Sequence, residues 1–332
     1  MFGLGVKNDM NIAFAGFKHQ HILMLYSEAL SDQEVSIVGC YEEDCLVKDE
    51  IEKEYNANFV YGSYEELLSD INVEVVAIGE YFARRGQMVI EALRKGKHVL
   101  CDKPICTRLD ELDEIQRLSE ANGLQVCCML DLRYLSQSKK AKELLGQRIL
   151  GDIKIASFTG QHCLDYDNRP HWYFEENKHG GTINDIAIHG IDLIRFLTGK
   201  NLTHIHCARH WNAFAYNDPN FKDCAQLMAE MDTMALTADV SYSAPKCATP
   251  LPTYWCFSFW GTEGMMQFNL ADKRVFLFLE KEKIVECEDC DIKYLKDLRD
   301  MICGVKTSMS TIDILESQRQ TLRIQAHANA YS

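Results

Sequence analysis

Residues 11–22 read NIAFAGFKHQHI. The apolar run NIAFAGF is short enough for a buried strand and ends beside a glycine. HQHILMLYSEAL behind it has helical spacing. The same alternation recurs downstream. VSIVGCYEED is a second buried strand ending in acids. VEVVAIGE (73–80) is a third, followed by the helix-like GQMVIEALRKG. HVLCDKP (98–104) is a fourth, with a helix around 110–122 behind it, and LQVCCML (124–130) is a fifth. Short apolar strands alternating with amphipathic helices predict a parallel sheet covered on both faces.

After about residue 150 the rhythm changes. DIKIASFTGQH alternates like a half-exposed strand, and one strong helix is expected at about 182–198, closed by Gly199. THIHCARHW, CAQLMAEM, MALTADVSYS, YWCFSFWGTEG and MMQFNLA are strand-like, which predicts an antiparallel sheet. The tail from about 293 is helical in pattern. The organisation expected is an extension over 1–10, a first domain over 11–130 and a second over 131–332. The final helix is left free to pack back on the first domain.

A net charge of −14 argues against a nucleic-acid backbone or an anionic membrane surface as partner. No basic start followed by a long apolar run opens the chain, and no apolar stretch reaches the ~18 residues of a membrane span. The 14 cysteines are therefore expected as thiols in a cytoplasmic protein. The lone C-x-x-C at Cys287 and Cys290 is read as a surface turn, since a structural zinc site needs four ligands.

A dinucleotide fingerprint would be G-x-G-x-x-G. In AGFKHQHI, Gly16 matches the first glycine, while Lys18 and His21 occupy the other two places. Gly16 still permits the tight turn, and the helix start still offers N–H groups to a phosphate. Glu42, after the second strand, could accept hydrogen bonds from both ribose hydroxyls and repel a 2′-phosphate; a solvated acid beside Glu43 and Asp44 is the plainer alternative. Lys103, at the carboxyl end of the fourth strand and before Pro104, is placed to enter a ligand crevice. A surface lysine is the commoner fate.

GGTINDIAIHGIDLIRF (180–196) carries the remaining chemistry. Helical spacing puts Asp185 and His189 on one face, with Asp192 three residues on. Oxidation of a secondary alcohol needs a base, which a histidine near neutral pKa supplies and a carboxylate can orient. A metal held by two carboxylates and an imidazole is the competing use. A plain core helix explains the isoleucines but not an Asp–His pair.

Several segments together resemble the Gfo/Idh/MocA oxidoreductases. EALRKGKHVLCDKP is similar to the family's "AL..GKHVLCEKP", with Asp102 at the usual glutamate. Gly180, Gly181, Asp185, His189 and Asp192 match its G-G-x-x-x-D-x-x-x-H-x-x-D helix. YGSYEELLSDINVEVVAI and WGTEGMMQF resemble further segments. The resemblance implies an α/β chain: an N-terminal Rossmann-type doubly wound parallel sheet, then a C-terminal α+β domain with a large, mostly antiparallel open sheet. That sheet would join homo-oligomers, dimers or tetramers. The implied cofactor is NAD in preference to NADP, held by Gly16, Phe17, Lys18, His19, His21, Glu42, Glu80, Lys103 and Pro104. The implied catalytic cluster is Lys103, Asp185 and His189, with His189 the main acid/base, Lys103 polarising the oxygen and no metal. Arg133, Arg169, Trp172, Tyr173 and Asp185 are the expected contacts to a sugar or polyol.

The match breaks in two places. Two phosphate-turn glycines are missing, and AIGEYFARR replaces a T-P-x-x-x-H-like segment, with Tyr81 at the proline and Arg85 at the histidine place. The favoured reading is an NAD(P)-dependent dehydrogenase or reductase. The alternatives are a hydrolase, lyase or epimerase that recycles bound NAD, and a non-enzymatic sensor or regulator.

Overall fold

Ile12, Ala13, Phe14 and Ala15 are fully buried because the strand they form, β1 (Met10–Ala15), lies inside a parallel sheet. The computed structural model describes residues 10–246, 254–288 and 290–331. The expected extension lies outside the described residues except for Met10, which opens β1. Contacts divide the chain into one unit of residues 1–129 and 293–315 and another of 130–292 and 316–332.

In the first unit, helix α1 (His21–Ser31) follows β1, then β2 (Val35–Tyr41), α2 (Cys45–Tyr55) and α3 (Tyr64–Ser69). The unit continues through β3 (Val75–Ile78), α4 (Phe82–Arg94), β4 (His98–Cys101), α5 (Leu109–Asn122) and β5 (Val126–Cys128). The strand order is β2-β1-β3-β4-β5, all parallel. Every residue of β3 and β5 is buried, as a sheet covered on both faces requires. The chain leaves β1 towards β2 on one side and returns as β3 on the other. This reversal is a topological switch point, and ligand crevices open at the strands' carboxyl ends there. Gly16, Glu42, Glu80 and Asp102–Lys103 all stand at those ends. Helix α8 (Tyr294–Ile302) belongs to this unit: the Leu295 N–H donates to Glu28 Oε1 at 3.1 Å, and Arg299 pairs with Asp32 and Glu34.

Among the described residues, the second unit holds α6 (Ser136–Gly146) and eight strands. These are β6 (Ile153–Cys163), β7 (Leu202–Trp211), β8 (Cys224–Met231) and β9 (Met234–Ala244), then β10 (Cys256–Gly261), β11 (Gly264–Phe268), β12 (Arg274–Phe278) and β13 (Glu282–Glu286). Their order is β13-β12-β11-β10-β6-β9-β8-β7, antiparallel except where β6 meets β9. In β8 buried and exposed residues alternate, so one face is covered and the other open. A π-helical turn (Ile183–Ala187) leads into α7 (Ile188–Thr198), and Gly199 closes α7 in the left-handed conformation. Helix α9 (Thr311–Ala330) ends the described chain. Among the described residues, no helix is long and apolar enough to cross a membrane.

Candidate active site

The turn after β1 shows why Gly16 is glycine. Its φ is +81°, and a Cβ there would come within 2.8 Å of the Glu80 backbone nitrogen. The turn is thereby pressed against the end of β3, and the N–H groups of Lys18 and His19 donate to the Gly79 carbonyl at 3.1 and 3.3 Å. The Phe17 N–H donates to Glu42 Oε2 at 2.7 Å, and Glu42 Oε1 accepts from Asp44 at 2.9 Å. The Glu42 carboxyl is buried, and that burial raises its pKa. Lys18 Nζ lies 3.3 Å from Glu80 and 4.0 Å from Glu42. Burial works against its charge, but the two carboxylates outweigh it and raise its pKa.

Asp102 anchors the second cluster. It is fully buried and binds His19 Nδ1 at 2.5 Å, His21 Nδ1 at 3.2 Å and Arg85 Nη2 at 2.9 Å. Burial alone would raise its pKa, yet Arg85, His19 and His21 hold it well below the usual carboxylate range. Burial pushes His19 down to about 3. Arg85 also donates to the carbonyls of Glu80 and Lys103, so it pins the ends of β3 and β4 together. The ligand atoms of His19, His21 and Asp102 lie within 4.8 Å of one another, close enough for a cation. The Arg85 guanidinium on the same carboxylate disfavours one. Lys103 is buried, with its ammonium 5.5 Å over the Phe82 ring; its peptide bond to Pro104 is cis.

In the second unit, Gly181 has φ +100°, and a Cβ there would collide with the Gln325 side chain. That carboxamide caps the next turn: Gln325 Oε1 accepts from the N–H groups of Ile183 and Asn184 at 3.1 and 3.2 Å. The turn that follows is π-helical, and π turns are frequent at functional sites. Asp185 accepts hydrogen bonds from the Tyr242 hydroxyl and from His179 Nε2, the latter at 3.2 Å. His189 lies instead with Nδ1 3.0 Å from Asp131 Oδ1 and its ring edge-on to Trp255.

The other expected contacts have partners within the second unit. Arg133 donates to Asp192 through Nε at 2.6 Å and through Nη2, and Ser317 donates to Asp192 at 2.6 Å. Asp192 thus reaches the same 3-10 turn, Asp131–Tyr134, that His189 reaches. Arg169 donates to the carbonyls of Cys163 and Leu164 and lies over the rings of Tyr173 and Tyr242. Trp172 and Tyr173 are buried against each other. Lys103 belongs to the first unit, Asp185 and His189 to the second. Sequence reasoning passed over Asp131, His179, Tyr242 and Trp255. Only two carried a local signal: His179 precedes the glycine pair, and Asp131 lies two residues before Arg133.

The first unit meets the demands of a dinucleotide in three respects. Gly16 allows the turn, Glu42 stands after β2, and no side chain caps α1, whose first turn carries no acid.

Residues 10–130 match the oxidoreductase family with an NAD-binding Rossmann fold, and residues 138–267 match the GFO/IDH/MocA C-terminal domain. An uncharacterized oxidoreductase of Synechocystis sp. is 30% identical over 171 residues, 50% of this chain and 46% of that protein. The trans-1,2-dihydrobenzene-1,2-diol dehydrogenase of Mus musculus is 27% identical over 171 residues, 52% of this chain and 50% of that enzyme. Each alignment thus spans about half the length of the curated relative. A solved structure from Erwinia carotovora atroseptica superposes with a TM-score of 0.86 at 21% identity, covering 96% of this chain and 99% of that one. That likeness shows the fold.

Proposed function

The chain belongs to the Gfo/Idh/MocA family of NAD-binding oxidoreductases, and from that footing we propose that it is an NAD-dependent dehydrogenase or reductase. Its substrate class is a sugar, polyol or related compound bearing a secondary hydroxyl. One observation carries the reading: Lys103, Asp185 and His189 are 5, 2 and 4% exposed, respectively. Ionisable side chains are rarely buried so deeply without a task.

The nicotinamide, when bound, supplies the hydride acceptor or donor. In the oxidative direction His189 takes the hydroxyl proton. The Lys103 ammonium stabilises the negative charge that develops on the substrate oxygen. Asp185, held by Tyr242 and His179, orients a substrate hydroxyl. Glu42 favours an unphosphorylated ribose. A vicinal diol fits this set, and the similarity to the mouse diol dehydrogenase supports that choice. The open sheet face suits a second copy of the chain. Ile155, Trp260 and Phe278 are exposed at 46, 40 and 41%, and the pairing of β6, β10, β11 and β12 puts them in one cross-strand row.

The bonds that occupy the N–H groups of Phe17, Lys18 and His19 favour a second reading, a binding module without turnover. One screen separates the two. Purified protein is incubated with NAD+ and a panel of sugars, polyols and vicinal diols, and absorbance is followed at 340 nm. The dehydrogenase reading predicts turnover on at least one substrate and a loss of roughly 100-fold or more in Lys103→Met and His189→Gln. Folded protein that binds NAD+ yet turns over no member of the panel contradicts it.

A further inference from the structure

We propose that Asp131 is the positioning residue of His189, the carboxylate that decides which ring nitrogen carries the proton. This rests on the reading of His189 as the acid/base. Helical spacing would give that task to Asp185, four residues earlier. Asp185 Oδ2 is engaged elsewhere, by Tyr242 and His179. The carboxylate that reaches His189 comes from elsewhere in the chain, from the 3-10 turn Asp131–Tyr134 that follows β5.

Five facts bear on the pairing. Asp131 Oδ1 lies 3.0 Å from His189 Nδ1. Both atoms are shielded from solvent. The turn that presents Asp131 is fixed two residues on, where Arg133 is clamped to Asp192. Trp255 contacts the ring edge-on at a centroid distance of 5.6 Å and narrows its rotation. Asp131 itself keeps 38% of its side chain exposed.

The chemistry follows from the tautomer. A neutral imidazole has one N–H and one lone pair. A carboxylate at Nδ1 keeps the proton there and leaves the lone pair on Nε2. Nε2 is then the atom that accepts the substrate hydroxyl proton. The imidazolium so formed is stabilised through Nδ1–H by Asp131, which stays ionised throughout. Asp185 is left to bind substrate rather than to tune the base.

The test reads the tautomer directly and needs no substrate. Protein labelled with 15N-histidine is examined by two-bond 1H–15N correlation at pH 8, with His189 identified by its loss in His189→Gln. The expected result is the Nδ1–H pattern in the native protein. In Asp131→Asn the side-chain amide can donate to Nδ1, and the population moves to Nε2–H. An Nε2–H pattern in the native protein overturns the proposal, and that reading stands even if Asp131→Asn fails to fold. An unchanged Nδ1–H pattern in folded Asp131→Asn overturns it as well. In the 340 nm assay kcat falls at least tenfold in Asp131→Asn while KM changes less than threefold. If the native tautomer is Nδ1–H and no substrate turns over, the positioning role stands and the dehydrogenase reading fails.

Discussion

His19 gives a sharp test of the network around Asp102. A histidine 2.5 Å from a carboxylate is often taken as an ion pair, with its pKa raised. Here burial dominates, and His21 and Lys103 work against the pull of Asp102, so His19 is held at about 3. In the unfolded chain it returns to 6.5. Between those values the unfolded chain binds a proton that the folded chain does not. Stability from this residue is therefore complete above about pH 7 and is lost as pH falls through 6.5 towards 3. Integrating from pH 7.5 to 5.5, the loss is about 1.4 kcal/mol, because at the lower pH the unfolded histidine is roughly ten to one protonated. The assay is urea unfolding followed by circular dichroism at pH 7.5, 6.5 and 5.5, for native protein and His19→Asn. Subtracting the two cancels the remaining 10 of the 11 histidines. The native-minus-variant stability should fall by about 1.4 kcal/mol across that range. A difference that stays flat, or grows towards acid, means that His19 is charged in the fold and refutes the argument.

Three further outcomes follow from the same contacts. Asp192→Asn leaves the buried Arg133 guanidinium without its counter-charge and should cost about 3–5 kcal/mol, read as a lower urea midpoint with an unchanged slope. Arg133→Met together with Asp192→Asn should recover part of that loss. Gly16→Ala forces a side chain into a φ of +81° and against the Glu80 backbone, and should weaken NADH binding at least tenfold by fluorescence titration. Glu42→Gln removes the charge that repels a 2′-phosphate, so the ratio of NADPH to NADH dissociation constants should drop about tenfold, roughly 1.4 kcal/mol.

The alternation of strands and helices in the first unit was legible because fully buried strands read as unbroken apolar runs, as in VVAI of β3 and VCC of β5. Helices α2, α3 and α6 gave weaker patterns. Only Ile51 is buried in α2, so there is little apolar face to read. Strands β12 and β13 lie at the open end of the second sheet, and β13 buries none of its residues. The helix at 182–198 was legible in extent but not in winding. Composition does not mark a π turn, and here it arises where Gln325, remote in sequence, caps the backbone beside Gly181. The same limit hid Tyr242, which reaches the helix only through tertiary structure, and the pairing of Asp131 with His189. Arg85 and Asp102 stood out as departures from the family pattern. The structure joins them: the aspartate and the arginine bind each other at 2.9 Å.

The most direct test of the central claim is a titration of the purified protein with NADH and with NADPH, followed by nicotinamide fluorescence. Micromolar binding of NADH, tighter than that of NADPH, is the predicted result. It would show that a phosphate turn carrying Lys18 and His21 in place of two glycines still receives a dinucleotide. Binding of neither, by folded protein free of carried-over cofactor, would contradict the account of the first unit and the dehydrogenase reading built on it.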